Sequence, residues 1–263
     1  MTVGCDNNFH PTYKEENIPF LVKQICKDEY KLDVTTQRTQ TTLWIYAPVD
    51  KLLHKDYGIK EDKVYDDNTA EKLRNILTTI GRVLISSDNT PEFFALLASD
   101  TNLGIDYTII GNVLDIKKSY SGFIPWTEAN RRYIMKFAAA PTAIGDQNGE
   151  HLSVYDVTLP DFLAEQIAQR ISSHFQEDDY KNYFKVDKSN GKFFQNNFIF
   201  EYEIKQTAQP PKPIDIKKEA INIITYCIQT YEFRDFSGIT VVDLLKKDQL
   251  ELNRKAIWDR PKD

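Results

Sequence analysis

No stretch of this sequence reaches the roughly 20 consecutive apolar residues that a membrane-spanning helix requires, so no segment is expected to cross a bilayer. Histidine and cysteine are scarce, at four and three among 263 residues. His10, His54, His151 and His174 are too scattered to form a ligand pair at metal spacing, and no Cys-x-x-Cys pair occurs. GxSxG, HExxH, the P-loop and a GxGxxG following a strand are missing as well. These absences set aside the common hydrolases, metalloproteases, nucleotide-binding enzymes and redox proteins. They leave no catalytic residue, metal site or cofactor to expect.

Positive charge is also in short supply. Lys and Arg total 33 against 39 Asp and Glu, a formal charge of −6, which argues against a nucleic-acid partner unless one face is locally basic. The basic pairs Lys117–Lys118 and Arg131–Arg132 are short and read as solvated positions rather than phosphate clamps. Aromatic side chains, by contrast, are abundant. Fourteen Tyr and 15 Phe in a chain that is 41% hydrophobic exclude a disordered polymer and point to an aromatic-rich core.

The chain opens with "TVGC", residues 2–5, followed by the polar run "DNNFHPTYKEEN". This start resembles the end of the lipobox of bacterial lipoproteins, where small or apolar residues lead into the Cys that becomes acylated. The resemblance implies lipidation at Cys5, a location in the cell envelope, and membrane attachment through the N-terminal lipid alone. Residues 1–13 would then be a flexible tether, since Asp6, Asn7 and Asn8 bury no apolar surface and Pro11 discourages helix. The alternative is a cytosolic protein in which Cys5 is an inconsequential exposed thiol.

Residues 14–263 are expected to form a single α+β domain, built from a recurring unit of one amphipathic helix and two strands. The first unit has a helix near 18–30 and strands in "KLDVTTQRT" and "TTLWIYAPV". In the second, Leu73, Ile76, Leu77, Ile80, Val83 and Leu84 mark a helix behind Asn68, with strands in "EFFALLASDT" and "GIDYTIIGNVLDIKK". A strand pair "RRYIMKFAAAP" and "HLSVYDVTLP" follows. Thr158 caps a third helix, whose hairpin is expected to turn at Asn190–Gly191. A Pro-rich connector at 206–214 leads to a fourth unit with a helix capped by Asp215 and strands in "GITVVDLL" and "QLELNRKAI". Helices packed on a mostly antiparallel sheet are the expectation.

One segment invites a functional reading. "SYSGFIPWTEANRRY", residues 119–133, gathers Phe123, Trp126, Arg131 and Arg132 around Gly122 and Pro125, the composition of a partner-binding hot spot. Trp126 could equally fold back over the end of the sheet. The acidic stretches "EDDY" and "DQNGE" lack calcium-loop spacing and read as turns. Cys26 and Cys227 sit at helical spacing among apolar residues and read as small buried hydrophobes. The function expected is that of a non-catalytic cell-envelope lipoprotein that binds or scaffolds another envelope component, with an envelope protein as a possible partner. The alternatives are an enzyme with a dispersed site, for which Glu128, Arg131 and His151 are the nominees, and a periplasmic module for a small ligand.

Overall fold

The computed structural model describes residues 12–56 and 64–260, so Cys5 and most of the expected tether lie outside the described residues. The last two residues of that expected tether are packed. Thr12 and Tyr13 both donate backbone N–H groups to Ser86, and the Tyr13 ring packs on the core.

The architecture is mixed α+β. In place of the single domain expected over 14–263, the chain forms two compact units, residues 1–156 and 157–263, each around its own apolar cluster. The Pro-rich connector is not the boundary, since it joins a strand to a helix inside the second unit.

The first unit runs α1 (Ile18–Tyr30), β1 (Thr35–Arg38), β2 (Thr42–Val49), α2 (Asp67–Ile85), β3 (Phe93–Asp100) and β4 (Ile105–Asn112), followed by α3 (Val113–Tyr120), α4 (Trp126–Arg131) and β5 (Ile134–Ala139). Its sheet has the order β1-β2-β3-β4-β5, antiparallel except where β2 lies parallel to β3. That parallel seam follows from chain geometry, because a helix between two strands returns the chain in the same direction. Leu43, Ile45 and Ala47 of β2 with Phe94, Leu96 and Ala98 of β3 alternate onto one face. Val22 and Cys26 of α1 and Leu73, Ile76, Ile80 and Val83 of α2 close over them.

The second unit runs α5 (Leu159–His174), β6 (Phe184–Phe194), β7 (Asn197–Gln206), α6 (Ile216–Thr230), β8 (Gly238–Asp243), β9 (Asp248–Asn253) and α7 (Arg254–Trp258). Its sheet order is β6-β7-β8-β9, again with a single parallel pair, β7 on β8. Phe198, Phe200, Tyr202 and Ile204 of β7 point into the core as their alternation requires, under Leu163, Ile167 and Ile171 of α5 and Ile224 and Ile228 of α6. Thr158 and Asp215 cap α5 and α6 with their side chains, as expected.

Three local expectations are overturned. Asn190–Gly191 is no turn but the middle of β6, and the hairpin closes at Gln195–Asn196, both in the left-handed region. Gly191 serves packing instead, because a Cβ there would overlap the carbonyl oxygen of Ala164 on α5. The strand expected in "HLSVYDVTLP" is an irregular strap. The long strand expected through "NVLDIKK" stops at Asn112, whose side chain accepts from the Leu114 N–H and starts α3.

Candidate functional site

The segment singled out in the sequence folds as a ledge made by α3 and α4. Its interior is ionic. Arg132, only 5% exposed, donates from Nη1 to Asp115 at 2.7 Å and from Nε to Glu128 at 3.0 Å, tying the end of α4 to α3. Arg132 and Glu128 therefore hold the ledge together rather than face a partner. Gly122 takes the left-handed turn, and the N–H of Phe123 donates to Lys118. Beyond that turn Phe123 stands 81% exposed, and Trp126, 49% exposed, sets its ring edge-on to Tyr120 at 5.4 Å. Trp126 opens α4 and does not plug the sheet; Arg131 lies exposed on the same helix.

A second polar cluster lies on the face of the first sheet opposite α1 and α2. The strap between β5 and α5 crosses that face: the Tyr46 hydroxyl donates to the Asp146 carbonyl at 2.6 Å, and Trp44 Nε1 donates to the Tyr155 carbonyl at 2.9 Å. His151 Nδ1 donates to Asp146 Oδ2 at 2.5 Å, while its Nε2 lies 3.4 Å from both Asp106 Oδ2 and Ser99 Oγ. Burial works to raise the Asp146 carboxyl. The N–H groups of His151, Asn148 and Glu150 and the His151 ring outweigh it and hold that carboxyl well below the usual carboxylate range. Burial, with the Asp146 charge beside it, pushes the Tyr46 hydroxyl up to about 12.

Asp146, His151 and Ser99 follow each other as acid, base and hydroxyl, the order of a nucleophilic triad. The geometry gives them another task. Ser99 is fully buried on β3 and donates its own proton to Asp106 Oδ1 at 2.5 Å, so its oxygen is not reachable by a substrate and its proton is not offered to the imidazole. The array clamps the strap. His151 and Glu128, two of the three enzyme nominees, belong to separate networks.

The remaining sequence candidates are structural. Cys26 and Cys227 are buried thiols in different units, not joined to each other, and burial pushes the Cys26 thiol up. His174 ends α5, with Nε2 3.6 Å from Glu219 and its ring against Tyr180. Asp178 pairs with Lys181, and Asp146 of "DQNGE" holds the strap turn through the N–H groups of Asn148 and Gly149. Among the described residues no group of three His, Cys, Asp or Glu side chains is placed to hold a metal ion.

Sequence reasoning missed Asp115, the buried partner of Arg132, because its segment read as a strand. Asn112 with an acid three residues later was the available signal for a helix start. It also missed a concavity of about 280 Å³ on the second unit, lined by Asn196, Phe236, Ser237, Asn253, Arg254 and Lys255. These residues come from a hairpin turn, a strand entry and a short helix, which no local pattern connects. Comparison of the chain with protein-family models, with curated proteins and with solved structures gave no match.

Proposed function

We propose that this chain is a non-catalytic cell-envelope lipoprotein that binds or scaffolds another envelope protein, with Cys5 as its lipid anchor and the α3–α4 ledge as its contact surface. The observation that carries the binding reading is Phe123. A large apolar side chain stands in solvent on a segment that a buried ionic cluster holds in place, which is how a recognition anchor is prepared before its partner arrives. Trp126 beside it supplies a second aromatic of the type that dominates interface energetics. The envelope location rests on "TVGC". An enzyme built on Glu128, Arg131 and His151 fits less well, since Glu128 and His151 are already committed to ion pairs in separate networks.

The test is crosslinking and recovery of partners from native membranes with Phe123→Ala and Trp126→Ala chains. Both variants should fold, and partner recovery should fall several-fold, the loss expected for an interface aromatic. Undiminished recovery would remove the ledge from the proposal. The mass of the N-terminal peptide from native cells addresses the anchor separately: a peptide starting at Cys5 with added acyl mass supports it, and an unmodified peptide carrying residues 2–5 defeats it.

A further inference from the structure

We propose that the concavity around Asn196, Ser237, Asn253, Arg254 and Lys255 binds a small phosphate-bearing anion. Its lining is donor-rich and contains no carboxylate. Asn253 uses its side-chain oxygen to accept the Ala256 N–H, which leaves the amide NH₂ as the group it can offer. Asn196 donates one amide hydrogen to Ser237 Oγ at 3.1 Å, and Arg254 spends one N–H on the Arg234 carbonyl at 2.9 Å. The rest of the guanidinium fork stays available, and among the described residues neither Arg254 nor Lys255 has a carboxylate within ion-pair distance. In a chain of formal charge −6, two adjacent cations beside a hollow, with no carboxylate paired to either among the described residues, form a local exception. The volume of about 280 Å³ suits a phosphate with a small substituent better than a large organic ligand.

The first unit supplies an internal control. There the N–H of Val113 donates to the Glu92 carbonyl at 2.9 Å, and in the second unit the N–H of Arg254 donates to the Ser237 carbonyl at 3.3 Å. Both bonds join the residue after a capping Asn to the entry of the preceding strand. The matching residues of the first unit are thus Glu92, Val113 and Leu114, an acid and two apolar side chains. The shared fold forms without cations at this place, so folding does not demand Arg254 and Lys255. A tetrahedral anion does: Arg provides a planar fork, Lys a compact charge, and the amides and hydroxyl fill the remaining oxygens.

The experiment is amide NMR of the full chain titrated with inorganic phosphate, with chloride at matched ionic strength as the reference. Saturable shifts are expected at Asn196, Ser237, Asn253, Arg254 and Lys255, while Glu92, Val113 and Leu114 stay unmoved. Arg254→Gln and Lys255→Gln should each weaken the response about ten-fold, the effect of one charge-assisted hydrogen bond. Lys255 has an exposed side chain, so Lys255→Gln decides the question even if Arg254→Gln loses its fold. Co-sedimentation with phosphatidylcholine vesicles with and without phosphatidic acid separates the two sources of the group. Retention that needs phosphatidic acid and Lys255 points to a lipid headgroup, and a phosphate response without retention points to a soluble ligand. Chloride reproducing the shifts, or Lys255→Gln leaving them unchanged, overturns the proposal.

Discussion

The two units run the same six elements, helix, strand, strand, helix, strand, strand, and pair their four strands alike, yet they treat the far side of the sheet in opposite ways. In the first unit both faces of the central strands are buried, with Trp44, Tyr46 and Ser99 lying under the polar strap. In the second that face shows Ile199, Thr240 and Val242 half-buried among ion pairs such as Lys188–Glu201 and Lys205–Glu203. Shared detail goes down to single residues. Asp100 ends β3 and accepts the N–H groups of Asn102 and Leu103; Asp243 ends β8 and accepts those of Leu245 and Lys246. Gly104 and Lys247, each four residues on, are both left-handed, and Asn112 and Asn253 both cap the helix that follows. What the comparison teaches is that one helix-covered face suffices for this scaffold. The ledge, the fifth strand and the strap are additions to it, and the candidate contact surface lies on an addition.

The sharpest way to break that view is Arg132→Ala. If the ledge is a detachable addition, its loss leaves the first sheet untouched. We expect instead that removing the guanidinium paired with the buried Asp115 carboxylate costs about 4 kcal/mol and loosens β4 as well. Hydrogen exchange resolved by peptide reads both units at once, and the second should not change. Next in size is Gly191→Ala, which drives a methyl into the backbone of α5 and should destabilise the second unit by about 3 kcal/mol. Gly111→Ala meets the rings of Phe94 and Tyr133, which can turn aside, so its cost in the first unit should be smaller. Equal losses would show that backbone and side-chain obstacles are not distinguished here.

The paired aspartates come third. Asp100 also accepts the Leu52 N–H at 2.9 Å, one bond more than Asp243 makes. Asp100→Ala should therefore cost about 3 kcal/mol against about 2 for Asp243→Ala, measured by urea unfolding of each variant. A reversed order would deny the correspondence between the turns. The smallest effects belong to the caps, where Asn112→Ala and Asn253→Ala should each cost about 1 kcal/mol. Acid provides a further contrast. The Asp146 carboxyl is depressed in the folded state, so its contribution is present above the unfolded value of about 3.9 and is lost as pH falls below it toward the folded value. Exchange at the strap should accelerate below about pH 4, by more than the screened, Lys-paired carboxylates Asp187 and Asp248 on the surface of the second unit produce there, and a pH-independent strap would refute the clamp.

Much of this scaffold was legible. Leu73 to Leu84 fixed the phase of α2, the alternation through Phe198 and Ile204 fixed which side of β7 is inside, and Thr158 and Asp215 announced their helices. Failures came where one residue type serves two physical purposes. Asn190–Gly191 has the chemistry of a turn, but the missing Cβ is used to admit α5. "HLSVYDV" alternates like a strand, but its polar groups find scattered partners instead of a neighbouring ladder: the His151 N–H donates to Asp146, the Leu152 N–H to the Gly149 carbonyl, and the Tyr155 carbonyl accepts from Trp44. The candidate surface was half legible. Phe123 and Trp126 are exposed, whereas Arg132 is buried by Asp115, a partner that only the third dimension brings within reach.

The parallel seam carries a kinetic consequence. Each of the hairpins β3–β4 and β8–β9 closes across four residues, a local event, while β2 and β7 find their parallel partners only after a whole helix has been threaded between. Loop-closure entropy places that second event late. The two seams should set the folding rate of their units, with amides facing the hairpins protected before amides facing the seam in a pulse-labelling experiment. In each unit the join between its two αββ halves is then the slowest contact to form.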